Sequence, residues 1–277
     1  MFLHESKTMN PDTTLEQVLA IARHAGTILL RNLRQPIERT TKSSDIDIVT
    51  AADKETEQYI VCELIRLFPE HHIIGEEGGG MGAPRSAAQY LWLVDPLDGT
   101  TNFASGIPHF SVSLALCDAA MEPLLGVVYD PNRAEAFYAM KGRGAYLNGE
   151  RLHVSQTTQL SDAILCSGFP YDRRTNPDNN LRQWAAFTPI ARDMRRYGSA
   201  ALDLCYVACA RWDGFWERSL NPWDTAAGML IAREAGAVVT DYEGGMRPQD
   251  GPDGRYLAAN PALHPLMQQI IAESYRS

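Results

Sequence analysis

Trp92-Leu93-Val94-Asp95-Pro96-Leu97-Asp98-Gly99-Thr100-Thr101-Asn102-Phe103 runs from a buried strand, Leu91 to Val94, directly into two carboxylates three residues apart. Pro96 fixes its own φ, and Gly99 permits backbone angles or a close approach that a side chain would forbid. Asp, Pro and Gly are also the standard residues of a surface turn. Two features favour a site over a turn. The segment leaves a strongly apolar strand, and it continues as Thr-Thr-Asn, which offers hydroxyls and backbone N–H groups in place of a second hairpin strand.

Two further acidic elements extend the pattern. Gly75-Glu76-Glu77-Gly78-Gly79-Gly80 also follows a strand. Neighbouring residues of an extended chain point to opposite faces, so only one of the two glutamates can share a site with Asp95. In Asn221-Pro222-Trp223-Asp224-Thr225-Ala226-Ala227-Gly228, Asn221 is a good N-cap and Pro222 a good first helical residue, which puts Asp224 in the first turn. There an acidic residue gains about 0.5 kcal/mol from the helix dipole alone. The small residues Ala226, Ala227 and Gly228 point instead to a helix start packed closely against something. Glu76, Asp95, Asp98 and Asp224, with no cysteine or histidine among them, make a ligand set for magnesium or manganese and not for zinc. Bound metal would relieve their mutual repulsion, and two ions about 3.5–4 Å apart would stabilise the attacking and leaving oxygens of a phosphoryl transfer.

Working outward, Leu15, Val18, Leu19, Ala22, Ala25 and Leu29 recur at helical spacing, with Thr13 and Glu16 as a capping-box start. A second helix runs from about Asp53 to Phe68 and stops at Pro69. Strands follow at His72 to Gly75, Leu91 to Val94, Val112 to Leu116, Leu125 to Tyr129 and Ala136 to Met140, then a hairpin turn at Asn148-Gly149. After a polar loop from Arg173 to Asn180, helices are expected at Leu181 to Arg196 and Ala200 to Ala210, a strand at Gly214 to Glu217 and a helix at Pro222 to Ala235. Two strands and a C-terminal helix carrying Leu263, Leu266, Met267, Ile270 and Ile271 complete the chain. The first half reads as α+β and the second as alternating α/β. This gives an N-terminal domain of residues 1–150 with most metal ligands, and a C-terminal domain of residues 151–277 with Asp224 and the substrate-side residues.

The 277 residues carry 34 acidic and 25 basic side chains, a net charge of −9, which argues against direct nucleic-acid binding through phosphate neutralisation. The five cysteines (Cys62, Cys117, Cys166, Cys205, Cys209) are scattered and mostly apolar in context, as expected of reduced buried thiols. Without an apolar signal core or a run near the ~20 residues a membrane helix needs, the expected location is the cytoplasm.

The three acidic elements resemble the inositol monophosphatase family. Asp95 to Phe103 is similar to its first signature, Trp223 to Gly228 continuing through Glu234-Ala235-Gly236 to its second, and Gly75-Glu76-Glu77 to the acidic element preceding the first. The likeness extends from about Leu15 to the C-terminal helix, including Lys42-Ser-Ser and Asp47 to Asp53. Gly198 to Asp203 and Phe215-Trp216-Glu217 are most similar to bacterial members of the SuhB type. The resemblance implies a layered αβαβα sandwich, usually a homodimer, and two to three Mg2+ per active site with Mn2+ as a possible substitute. Glu76, Asp95 and the Leu97 carbonyl would hold one ion, Asp95, Asp98 and Asp224 a second, and Glu76 with waters a weaker third. Asp53 and Thr100 would orient the attacking water, making Asp53, Glu76 and Thr100 the catalytic residues. Lys42 and Glu77 would stand behind the ligands. The N–H groups of Gly99 and Thr100 would receive phosphate. The substrate surface would comprise these groups with Glu76, Leu97, Asp98 and Asp224, joined by Arg195, Ser199, Ala200 and Glu217 toward the sugar or inositol hydroxyls. His109 is read as structural, and Thr101 argues against the 3′-nucleotidase relatives.

The activity implied is lithium-sensitive hydrolysis of inositol-1-phosphate. Fructose-1,6-bisphosphate, histidinol phosphate and NADP phosphatases would share the same metal site and are the nearest alternatives. Binding within a bacterial transcription complex is the alternative from another class.

Overall fold

The structure, a computed structural model, describes residues 10–34, 39–41, 48–250 and 252–276. The chain opens with α1 (Pro11–Asn32), a small hairpin of β1 (Arg39–Thr41) and β2 (Ile48–Thr50), and α2 (Ala51–Leu67). Then come β3 (His72–Gly75), β4 (Gly79–Gly82), β5 (Tyr90–Asp98), the single-turn α3 (Thr100–Ala104), β6 (Ser111–Asp118), β7 (Pro123–Asp130), β8 (Glu135–Met140), β9 (Ala145–Leu147) and β10 (Glu150–Arg151). The remainder holds β11 (Ile164–Ser167), α4 (Leu181–Phe187), β12 (Asp193–Arg195), α5 (Ala200–Ala208), β13 (Gly214–Glu217), α6 (Pro222–Glu234), β14 (Val238–Thr240), β15 (Tyr256–Ala259) and α7 (His264–Ser274).

Eight strands form one sheet in the order β10-β9-β8-β7-β6-β5-β3-β4, and five form another in the order β12-β11-β13-β15-β14. Three apolar cores hold five layers together. Helices α1 and α2 cover one face of the large sheet through Val18, Leu29, Ile60 and Leu64. Helices α5 and α6 lie between the sheets, with Leu202, Ala227 and Ile231 in the central core. Helices α4 and α7 cover the far face of the small sheet, where Phe187, Met267 and Ile271 pack on Trp216. This is the expected αβαβα sandwich. Strand β5 is buried on both faces, so it reads as a continuous apolar run. Trp92 and Val94 join the core under α1 and α2, while Leu91 and Leu93 join the central core. The same alternation sends Asp95 toward the central layer.

Three expected boundaries move. Helix α1 starts at Pro11, because the Asn10 side chain accepts from the N–H groups of Asp12 and Thr13 and caps the helix ahead of the Thr13 box. Helix α2 starts at Ala51, capped by Thr50 with Asp53 completing the box. Helix α4 ends at Phe187, well short of Arg196. Thr188 keeps helical angles, but Pro189 has no N–H to continue the ladder, and the chain returns as β12, parallel to β11. The Asn148-Gly149 turn is as expected, with positive φ at both residues between β9 and β10.

Where the central helices meet the large sheet, one contact is glycine's. A Cβ on Gly126 of β7 would sit 2.8 Å from the Ala227 carbonyl oxygen and 2.9 Å from its Cα, so α6 rests backbone to backbone on the large sheet. Gly126→Ala must displace α6, and is expected to destabilise the protein by about 1–3 kcal/mol as overpacking does. Urea unfolding checks this, and unchanged stability would mean that α6 is free to shift.

Candidate active site

Register places the first two carboxylates. Strand β3 runs parallel to β5 with Gly75 beside Val94, and the Glu76 N–H donates to the Val94 carbonyl at 3.1 Å, which sets Glu76 next to Asp95. Asp95 is 1% exposed, and its Oδ1 accepts from the Leu97 N–H at 3.0 Å across the Pro96 turn. The pairing of β5 with β6 slips between Asp95 and Asp98, which turns the strand end into the loop before α3.

The third carboxylate comes from the central layer. Asp224 is the third helical residue of α6, and its Oδ2 accepts from the Asn221 N–H at 2.7 Å, completing a capping box. Ser113, paired opposite Asp95 on β6, donates through its hydroxyl to the Trp223 carbonyl at 3.2 Å. That bond fastens the start of α6 to the strand beside Asp95. One carboxylate oxygen each from Glu76, Asp95 and Asp224 lies within 4.8 Å of the others. An all-oxygen donor set of this kind fits a hard divalent cation.

Asp98 stands outside that triad but lines the same cleft. Its Oδ2 accepts from the Ser199 hydroxyl at 2.6 Å and from the Ala201 N–H in the first turn of α5 at 2.8 Å. Asn102 adds a second tie to this segment, donating to the Tyr197 carbonyl at 2.7 Å. Thr100 Oγ1 is 3.2 Å from Asp53 Oδ1 and 3.1 Å from the Leu97 carbonyl, while Asp53 Oδ2 accepts from the N–H and hydroxyl of Thr50 at 2.7 and 2.6 Å. Thus Asp53 caps its own helix and anchors Thr100. Gly99, at φ 98°, turns the backbone into α3.

The cleft opens to solvent and has a cavity volume of about 140 Å3. Glu76, Asp95, Leu97, Asp98, Gly99, Thr100, Ala200, Glu217 and Asp224 all line it, from segments spread over the whole chain. Ser199 is buried behind the wall, reaching the site through Asp98. Arg195 does not line the cleft: its guanidinium pairs with Asp193 at 2.6 Å and donates to the Met194 carbonyl. The cleft-lining arginines are Arg196 and Arg218. His109 is buried against the rings of Tyr197 and Tyr206, and burial pushes its pKa down to about 4, a neutral packing residue. Lys42 and Asp47 lie outside the described residues.

Glu57 had no signal in the sequence beyond its place on α2. Its carboxylate is buried under the Glu76 loop and accepts from the Glu77 N–H at 2.9 Å. A Cβ on Gly75 would collide with the same carboxylate, and one on Gly78 would stand 2.8 Å from it. The Gly-Glu-Glu-Gly pattern is therefore a backbone loop wrapped on Glu57, with Glu76 carried on its cleft side.

Electrostatics set the tension in the site. Burial, then the charges of Glu76, Asp98 and Asp224, push Asp95 well above the usual carboxylate range. Burial raises Asp53 and Asp98 to about 6 against the hydrogen bonds from Thr50 and from Ser199 and Ala201. Burial lifts Asp203 to about 7, and Glu217 well above its ordinary value with Asp203 and Asp98 adding to it.

A profile of the inositol monophosphatase family matches residues 10–276. The Nus factor SuhB of Pseudomonas aeruginosa is 44% identical over 233 residues, covering 83% of this chain and 86% of its own. The inositol-1-monophosphatase of Synechocystis sp. is 44% identical over 226 residues, 82% of this chain and 77% of its own. The solved inositol monophosphatase of Anabaena (Nostoc) sp. PCC 7120 superposes with a TM-score of 0.85 at 40% identity, covering 96% of this chain and 97% of that one.

The raised carboxylates have a consequence for stability. In the fold they favour the protonated form, so their contribution is full below the unfolded value near 4 and is lost as pH rises through about 6 to 7. In EDTA the melting temperature should fall between pH 5 and pH 7.5, and added magnesium should restore more of it at pH 7.5. A metal-free melting temperature that climbs over this range would contradict the charge crowding.

Proposed function

The chain belongs to the inositol monophosphatase family, and from that premise we propose that it is a magnesium-dependent phosphomonoesterase acting on small phosphorylated polyols or sugars, inositol-1-phosphate among them. The observation that carries the reading is the convergence of Glu76, Asp95 and Asp224 on one cleft from three separate elements. Glu76, Asp95, Asp98, Asp224 and the Leu97 carbonyl would hold the cations, which when bound lower the pKa of water and neutralise charge developing on phosphoryl oxygens. Manganese fits the same donors.

The chain's own groups would do the rest. Thr100 Oγ1 orients the attacking water and accepts its proton while passing the hydroxyl's own proton to Asp53 Oδ1, a carboxylate raised to about 6. The N–H groups of Gly99 and Thr100 meet the phosphate. Glu217 and the Ala200 end of α5 face the hydroxyls of the alcohol. The reading includes a homodimer and lithium inhibition at the position sharing Asp224.

The relatives named Nus factor SuhB favour a second, compatible reading, a binding role in a transcription complex, carried by the outer surface. No helix among the described residues is long and apolar enough to cross a membrane.

Phosphate release from inositol-1-phosphate should require added magnesium or manganese, and full activity after exhaustive EDTA dialysis would refute the proposal. Asp98→Asn should lose at least about a hundredfold in kcat. The asparagine carbonyl can still accept from Ser199 and Ala201, so the metal-free melting temperature should hold. An unfolded variant would make Asp98 a structural residue. Lithium should inhibit uncompetitively, and a competitive pattern would place it elsewhere. Capture of transcription proteins undiminished in inactive Asp98→Asn would separate the binding role from catalysis.

A further inference from the structure

The cleft has a carboxylate end and an end of mixed charge, where the Glu217 carboxylate lies against Gly168 and feels the charge of Arg196. Its carboxylate end is described above, and its other end is built by Gly168 to Tyr171 and by Arg196. The Arg196 guanidinium carbon stands 5.9 Å from the centre of the Phe169 ring, itself part of the wall. Arg173 Nη1 donates to the carbonyl of Pro170, another wall residue, at 3.2 Å, so its guanidinium lies directly behind the rim. Arg174 is exposed beside it.

These three arginines differ from their neighbours. Arg195 is paired with Asp193, Arg192 with Asp162, and Arg218 with Asp178 at 2.8 Å. Among the described residues no carboxylate lies within ion-pair distance of Arg173, Arg174 or Arg196. Asp172, the nearest acid in sequence, binds the Asn176 side-chain amide at 2.7 Å. Burial, then the charges of Arg196 and Arg174, hold Arg173 below the usual guanidinium range. Like charges gathered at a cleft mouth, Arg173 partly buried and Arg174 and Arg196 exposed, disfavour one another until an anion arrives. In a protein of net charge −9 such a cluster is a local exception.

We propose that Arg173, Arg174 and Arg196 form a subsite for a second anionic group on the substrate, so that the enzyme selects phosphomonoesters bearing another phosphate or a carboxylate. The first phosphate goes to the carboxylate-and-metal end. The second negative group reaches the rim, where guanidinium forks match phosphate or carboxylate oxygens. This rests on the phosphatase reading and narrows its substrate class.

Three compounds differing only at carbon 6 test it with magnesium present: glucose 1-phosphate, glucose 1,6-bisphosphate and glucuronate 1-phosphate, each followed for loss of the phosphate at carbon 1. The expected kcat/KM for at least one of the doubly anionic compounds exceeds that for glucose 1-phosphate by about tenfold or more, about 1.4 kcal/mol. Which of the two gains tells whether the rim takes phosphate or carboxylate. The ratio should drop to about threefold or less in Arg173→Gln/Arg174→Gln and in Arg196→Gln, chiefly through KM. A wild-type ratio near one for both compounds, or a ratio undiminished in both variants, overturns the subsite while leaving the phosphatase intact. If none of the three is hydrolysed and inositol-1-phosphate is also inert, the phosphatase reading fails. Calorimetric affinities for the same compounds then decide the subsite by the same ratios.

Discussion

A buried carboxylate governs this molecule. Asp95 sits at the inner end of a strand covered on both faces, with Glu76, Asp98 and Asp224 around it. Taking such a charge out of water costs several kcal/mol unless it is protonated or paired. A domain whose net stability is of order ten kcal/mol can hold it only if the surrounding layers are well packed. Three apolar cores supply that, and each carboxylate has its own anchor: the Leu97 N–H on Asp95, the Asn221 N–H on Asp224, the helix start of α5 on Asp98.

Those anchors explain why the site straddles two sheets. Carboxylates at helix starts are stabilised by the N–H groups and dipole they face. Asp224 uses the start of its own helix, and Asp98 uses the start of a helix a hundred residues away in sequence. Each such bond therefore also ties the strand end of the large sheet to the central helical layer. Ser113 and Ser111 belong to the same arrangement, since both lie on β6 opposite the two aspartates and touch Trp223 and Ser199 respectively. Because Gly126 lets α6 sit directly on the sheet, the distance from Asp95 to Asp224 is fixed by backbone contact and not by long side chains. Charge placement and layer packing are thus a single constraint.

Much of this was legible in the sequence. The strand exit at Asp95, the N-capped start of α6, the small residues behind Asp224 and the hairpin at Asn148 are local signals, and each survives folding because the responsible residues are neighbours in the chain. The layered architecture and family came from motif resemblance. What stayed hidden depends on partners distant in sequence. Ser113 and Glu57 look like an ordinary strand serine and a helix glutamate until the chain folds around them. The order of strands in two sheets likewise cannot be read from periodicity.

One substrate-side residue shows the limit of carrying a position over by resemblance. Arg195 is assigned by its match to a family position, on a segment expected to be helical from Leu181 to Arg196. In fact Pro189 ends the helix and the chain re-enters the sheet as β12. In a strand, residues two apart share a face, and Arg195 duly pairs with Asp193. Arg196 must then leave on the other side, and it does so into the cleft. The same period of two had separated Glu76 from Glu77 correctly, because that segment was recognised as following a strand. A rule about facing is only as good as the element to which it is applied: the carboxylate end of this cleft, built on clear strand and helix termini, was readable, and on the opposite wall Ala200 and Glu217 line the cleft as expected while Arg196 stands there in place of Arg195.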